Sequence, residues 1–311
     1  MTQFLVTGGA GFIGSHLCER LAADGHRVRV LDDFSTGKRE NLEGFAGKLE
    51  IVEGDMRDFE TCLKACDGVE IVLHEAAIPS VPKSVDQPFA SHDANMNGVF
   101  NVLMAAVRQK CRRVVYAASS SAYGDSEVSP KHENLPTRPL SPYAVQKLAG
   151  EHYCRAFYEC FGIETIAIRY FNVFGPRQNP KSQYAAAIPA FVTAILNGQP
   201  PTVYGDGEQT RDFTFIENVV HGNLLAAGAN KTSGQTVNVA CSESISVNAI
   251  IARINELLGK NVTPEYAPAR KGDVKHSLAD ISLAAELLDY RPVVPFDEGL
   301  RRTIDYYRSL A

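Results

Sequence analysis

Gln3-Phe-Leu-Val-Thr7-Gly8-Gly-Ala-Gly11-Phe-Ile-Gly14 decides the fold. The apolar run reads as a strand over Gln3–Thr7, the glycines as a turn, and Phe12–Asp24 as a helix. Gly8, Gly11 and Gly14 give the spacing G-x-x-G-x-x-G. In such a turn the first glycine lets the chain leave the strand sharply. The second lets the backbone approach a diphosphate, and the third lets the helix pack closely on the strand. The unpaired N–H groups and positive end of the helix then face the anion. A glycine pattern alone is a weak signal; a strand before it and a helix after it make it a nucleotide-binding one.

Outward from this unit, strands and helices alternate. Arg27–Asp32, Leu49–Gly54, Glu70–His74, Arg112–Ala118 and Thr165–Tyr170 read as strands, with helices over Asp93–Gln109 and Ser141–Phe161. Runs such as Arg113-Val-Val-Tyr-Ala-Ala118 suit strands covered on both faces. The expectation is an α/β fold, a Rossmann-type doubly wound parallel sheet. After Asn172 the rhythm changes: Pro and Gly become frequent and helices dominate, over Ile188–Leu196, Ile216–Ala229, Val247–Leu258, Ser282–Leu288 and Phe296–Ser309. Two domains are therefore expected, a nucleotide-binding one over 1–171 and a smaller, mainly helical substrate domain over 172–311. Arg211–Ile216 and Thr236–Asn238 are expected to return to the main sheet.

Composition narrows the function. The 311 residues carry a net charge of −5 with no basic run, which argues against a nucleic-acid partner. No apolar run reaches membrane-spanning length, and the N-terminus enters a strand without a signal-like segment. Cys18, Cys62, Cys66, Cys111, Cys154, Cys160 and Cys241 are scattered and odd in number, which reads as reduced thiols. A soluble, cytoplasmic protein without a metal site is expected.

Asp32 ends the second strand, where a carboxylate accepts from ribose hydroxyls and repels a 2′-phosphate. That favours NAD over NADP. Asp33, Ser35, Thr36 and Gly37 follow it, and Asp55 and Met56 after the third strand are candidates for the adenine amino group and ring face. Tyr143-Ala-Val-Gln-Lys147 places a phenol and an ammonium one helical turn apart. A lysine so placed is expected to lower the tyrosine pKa and make it a general base. Ser119, in Ala118-Ser119-Ser-Ser121, sits where a strand meets the ligand crevice and can bond the reacting oxygen.

In these motifs the chain resembles the extended short-chain dehydrogenase/reductases, and among them the nucleotide-sugar 4-epimerases. The resemblance runs nearly end to end, through Gly8, Gly11, Gly14, Asp32, Asp55, Ala76-Ala77, Asn95, Ser119, Tyr143, Lys147, Arg169-Tyr-Phe-Asn172, Arg211 and Arg270-Lys-Gly-Asp273. It implies an NAD-dependent isomerase that inverts C4 of a UDP-sugar through a transient 4-keto intermediate. It implies that Phe12 and Ile13 line the diphosphate, Ala76 and Ala77 pass the cofactor ribose, Asn95 borders the cofactor, and Lys147 also bonds the nicotinamide ribose. Phe171 or Val173 would lie by the nicotinamide. On the substrate side it implies Ser80, Val81, Ser121 and Asn172 near the sugar, Ala187 and Ile188 near the nucleotide, Val203 or Tyr204 on uracil, Arg211 and Arg270 on the diphosphate, and Asp273 on a ribose hydroxyl. Ser277 would border the sugar 2-substituent and leave room for an acetamido group, so UDP-N-acetylglucosamine and UDP-N-acetylgalactosamine are expected alongside or in place of UDP-glucose and UDP-galactose. A homodimer is expected through the helices Asp93–Gln109 and Ser141–Phe161.

Rival readings exist. A nucleotide-sugar 4,6-dehydratase needs an Asp-Glu pair beside the catalytic hydroxyl, where Ser120 and Ser121 stand. A uronic-acid epimerase or decarboxylase needs a cradle for a C6 carboxylate, which the serine run can supply. An NAD-sensing binding protein has no need of Tyr143 and Lys147.

Overall fold

The computed structural model describes residues 1–180, 187–230, 232–269 and 275–310. The first part contains β1 (Gln3–Thr7), α1 (Phe12–Ala23), β2 (Arg27–Asp32), β3 (Leu49–Glu53), α2 (Phe59–Cys66), β4 (Ile71–His74), α3 (Val81–Asp86), α4 (Pro88–His92), α5 (Gly98–Arg108), β5 (Arg113–Ser119), α6 (Pro142–Phe161) and β6 (Glu164–Tyr170). The rest contains β7 (Val173–Phe174), α7 (Ala187–Leu196), β8 (Thr202–Tyr204), β9 (Thr210–Arg211), β10 (Thr214–Phe215), α8 (Ile216–Gly228), β11 (Gln235–Val239), β12 (Ile245–Ser246), α9 (Val247–Leu258), β13 (Glu265–Ala267), β14 (His276–Ser277), α10 (Ser282–Leu288) and α11 (Phe296–Ser309).

Among the described residues, seven parallel strands form one sheet in the order β11-β6-β5-β4-β1-β2-β3. The chain builds outward from β1 in one direction, then restarts at β4 and builds in the other. The crevice above β1 and β4 is thus the topological switch point where such sheets bind ligands. Sequence drives this directly: Leu5, Val6, Val72, Leu73, Val114 and Val115 are fully buried, each worth about 1.5–3 kcal/mol relative to exposure. One apolar core lies on the face covered by α1 and α8, and a second on the face covered by α2, α5 and α6.

Thr236–Asn238 does return to the sheet, inside β11, which pairs with β6. Arg211–Ile216 does not. Its residues enter two small separate sheets, β9 between β12 and β14, and β10 against β7. Strands of two residues cannot span the main sheet, and β10 is held instead by the Phe174, Phe213, Phe215 and Phe296 ring cluster. The helix read over Asp93–Gln109 opens with a wide π-type turn, Asp93–Asn97, before α5 begins. No described helix is long and apolar enough to cross a membrane.

Candidate active site

The glycine loop is shaped by atoms it lacks. Gly8 has φ +67°, the left-handed region costly for side chains. A Cβ there would also sit 2.8 Å from the Ala76 backbone, so the loop rests on the segment that follows β4. A Cβ at Gly14 would lie 2.2 Å from the Gly8 carbonyl oxygen, so α1 starts hard against the turn. Gly9, passed over in the sequence reading, is equally confined: its Cβ would meet Val30 Cγ1 at 2.7 Å. The N-terminus of α1 has no side-chain cap and no acid in its first turn. The early N–H groups, Phe12 and Ile13 among them, remain available to an anion. These features fit a dinucleotide diphosphate.

Asp32 organises the next wall. Its Oδ2 accepts from Ala10 N at 2.8 Å and its Oδ1 from Phe34 N at 2.9 Å. Burial pushes its carboxyl up, against the pull of those N–H groups. Lys38 N and Asn41 Nδ2 both donate to the Ala10 carbonyl, which folds the segment after β2 onto the glycine loop. Gly37 lies against the Asp32 carboxyl. Asp33 caps the exposed Ser35 through Oδ1 at 2.9 and 2.6 Å, and Thr36 is exposed beside it. Asp55 is bound by Arg57, whose hydrogen bonds hold its carboxyl low. Met56 is buried against Gly98.

Asn95 needs correction from a cofactor contact to a brace. It is 1% exposed, and both ends of its amide are committed to protein: Oδ1 accepts from Ile78 N, and Nδ2 donates to Gln146 Oε1 and the Ile78 carbonyl. It thereby fixes the segment of Ala76 and Ala77 to α6. Phe171 is likewise corrected. Its side chain is fully buried with Tyr123, Ala240 and Ala279, so of the pair only the Val173 side chain is open to a ligand.

Tyr143 and Lys147 lie on α6, whose first turn is capped by Ser141 and started by Pro142. Gly150 brings that helix down on the sheet: a Cβ there would lie 2.3 Å from Tyr116 Oη. Ser84 Oγ accepts from Tyr143 N at 3.1 Å, tying α3 to the same turn. The Tyr143 phenol interacts with Ser119, whose Oγ receives Ser121 Oγ at 2.9 Å. Lys147 Nζ donates to the Ala117 carbonyl at 2.7 Å and lies 5.1 Å from the Tyr116 ring centre. The expected lowering of the phenol is not met. Burial pushes Tyr143 up to about 12; the Ser119 hydrogen bond pulls it down and Glu75 pushes it further up. The reason is the burial of the phenol itself, which outweighs every other influence; Lys147 donates to Ala117 and is itself pushed down by burial. Glu75, which the sequence reading missed, sits at the end of β4; its only sequence signal is an acid inside an otherwise apolar strand–loop junction.

On the far wall Ser80 caps α3 through Lys83 N, and Val81 is exposed beside it. Asn172 donates to the Asp212 carbonyl at 3.1 Å. Ala187 is half-buried and Ile188 buried at the start of α7. Val203 is corrected to a core residue, 1% exposed, whereas Tyr204 is 38% exposed. Arg211 pairs in register with Ser277, and its Nη1 donates to the Thr210 and Lys275 carbonyls. Arg270 and Asp273 lie outside the described residues.

The NAD dependent epimerase/dehydratase family model matches residues 4–240. The UDP-glucose 4-epimerase of Mycolicibacterium smegmatis is 38% identical over 309 residues, covering 98% of each chain. A UDP-N-acetylglucosamine 4-epimerase from Methanobrevibacter ruminantium, solved with UDP-N-acetylmuramic acid, superposes with TM-score 0.95 at 38% identity, over 100% of this chain and 99% of that one. A Thermus thermophilus UDP-glucose 4-epimerase solved with NAD gives TM-score 0.91 at 34% identity, over the whole of both chains. By these matches the chain belongs to the NAD-dependent epimerase/dehydratase family.

Proposed function

We propose that this chain is an NAD-dependent 4-epimerase of UDP-sugars. The observation that carries the reading is the Tyr143 phenol, facing Ser119 and one helical turn from Lys147, at the same carboxyl end of the parallel sheet as the glycine loop. Gly8, Gly11, Phe12, Ile13 and Gly14 would hold the cofactor diphosphate, Asp32 its adenosine ribose, and Ala76, Ala77, Lys147 and Val173 its nicotinamide half. When bound, NAD supplies a reversible hydride acceptor and a positive charge beside the phenol.

Tyr143 takes the proton from the sugar 4-hydroxyl while Ser119 donates to the same oxygen. A phenol that burial holds near 12 is a strong base once ionised. It requires nearby positive charge, from Lys147 and the bound cofactor, to ionise at neutral pH. The sugar becomes a 4-ketone, turns over within the crevice, and recovers its proton from Tyr143 with C4 inverted. Arg211 and Tyr204 keep the nucleotide in place through diphosphate and uracil while the sugar turns. Ser277, beside Arg211, leaves space for a 2-acetamido group, which favours UDP-N-acetylglucosamine and UDP-N-acetylgalactosamine as substrates.

Ser120 and Ser121 leave no acid pair for 4,6-dehydration. We further propose a cytoplasmic homodimer. Phe100 and Phe161 are 40% and 51% exposed on α5 and α6, a pair of helices suited to a four-helix seam. Incubating the purified protein with UDP-glucose, UDP-N-acetylglucosamine and UDP-glucuronate, with products followed by NMR, tests the reading. C4 inversion without net NAD reduction is expected; decarboxylated or dehydrated products, or no turnover, would overturn it.

A further inference from the structure

The Tyr143–Lys147 pair has an ionisable neighbour that the chemistry above leaves unused. Glu75 directly follows β4, and its Oε1 receives the Tyr170 hydroxyl at 2.8 Å. Tyr170 ends β6, with β5 lying between it and β4. Its oxygen receives Asn223 Nδ2 of α8, also at 2.8 Å, and the same Nδ2 donates to the Val219 carbonyl. Asn223 is fully buried and Tyr170 is 8% exposed. A phenol that accepts from an amide has one proton left to give. The chain Asn223–Tyr170–Glu75 therefore has a fixed direction, and the carboxyl is its acceptor end. Hydrogen bonding of that kind favours the charged carboxylate.

The groups around it divide clearly. From α6, Lys147 and Tyr143 interact with Glu75; from β6, Tyr170 does. Lys147 also faces Glu151 on its own helix, His74 on β4 and the Tyr116 ring on β5. Glu151 is already neutralised by the two-pronged Arg169, at 2.9 and 2.6 Å. Among the described residues the Glu75 carboxyl has one donor, the neutral Tyr170 hydroxyl, so its charge acts on Lys147. Burial pushes Glu75 up and Lys147 down, and each draws the other back toward its charged form.

We propose that Glu75 is a positioning residue for the catalytic pair: its carboxylate, aimed by Asn223 and Tyr170, keeps buried Lys147 an ammonium and sets the pH window in which Tyr143 and Lys147 act together. The inference rests on the assignment of that pair as catalytic. Removing the carboxylate takes away a negative neighbour from both. Lys147 then loses its proton at lower pH, and so does Tyr143.

Glu75→Gln keeps the shape and the Tyr170 hydrogen bond. The bell of kcat/KM against pH should move as a unit toward lower pH, by about one unit. A merely structural role would scale the bell down and leave both limbs in place, and that result would overturn the proposal. Carbon-13 NMR of the full chain labelled at glutamate carboxyls reads the same coupling without turnover, the resonance missing in Glu75→Gln identifying the group. Its midpoint should lie well above the ordinary carboxylate range, and rise further in Tyr170→Phe, which loses the donor, and in Lys147→Met, which loses the cation. A Glu75 midpoint indifferent to Lys147→Met refutes the proposal even if the enzyme turns over UDP-sugars. A coupled midpoint in a chain that turns over none would instead leave the coupling standing and remove the assigned reaction.

Discussion

The two walls of the crevice are built on opposite principles. The cofactor wall is one continuous stretch, Gly8 to Gly14, whose shape depends on missing Cβ atoms and on backbone N–H groups. The proposed substrate wall is a set of side chains, Tyr204, Arg211 and Ser277, carried on strands of two or three residues from distant parts of the chain. Backbone recognition is rigid and tolerates no added atom. Side-chain recognition is adjustable, and single residues in it can be exchanged to change what is accepted.

That contrast can be broken or sharpened by mutation. The largest effect should come from between the walls. Tyr143→Phe is expected to cost roughly 10²–10⁴-fold in kcat while NAD binding and melting temperature stay near wild type, checked by steady-state kinetics and calorimetry. Gly14→Ala adds a Cβ 2.2 Å from the Gly8 oxygen. It should destabilise the fold by about 1–3 kcal/mol and weaken NAD in a titration, with little change in UDP-sugar KM for the molecules still loaded. Arg211→Ala should do the converse, raising UDP-sugar KM about 10–100-fold through a lost charge-assisted contact, with NAD affinity unchanged. Tyr204→Ala should weaken UDP by about 1–3 kcal/mol of lost base stacking, read by calorimetric titration. Smallest and most selective, Ser277→Tyr should lower kcat/KM for the acetylated sugars on the order of tenfold relative to UDP-glucose. Equal losses on both sugars would remove Ser277 as the determinant. If Gly14→Ala and Arg211→Ala each disturbed both ligands alike, the two walls would not be independent.

The same contrast governs what could be read from sequence. The glycine turn, Asp32 and the Tyr143–Lys147 spacing are local, because backbone conformation and helix periodicity fix them within a few residues. The strands β1 and β2 and the helices α9, α10 and α11 were legible to the residue for the same reason. Contacts that depend on strand pairing were not. Nothing local says that Arg211 sits beside Ser277, 66 residues later, or that Arg211–Ile216 stays out of the main sheet. Nor does spacing reveal that Asn95 is consumed by Ile78 and Gln146. Helical spacing gives Tyr143 its neighbour Lys147 but not its burial, and burial is what dominates the phenol's titration.

β11 lies at the edge of the main sheet, although β8–β10 before it and β12–β14 after it lie outside that sheet. The polypeptide thus passes back and forth between the walls instead of joining them by one link. The β11–β6 ladder anchors the returning chain to the main sheet, so several crossings tie the two parts together. A pyranose that must present both faces to one nicotinamide gains its freedom from rotation about its own phosphate linkage, and the enzyme's task is to leave a swept volume around that pivot.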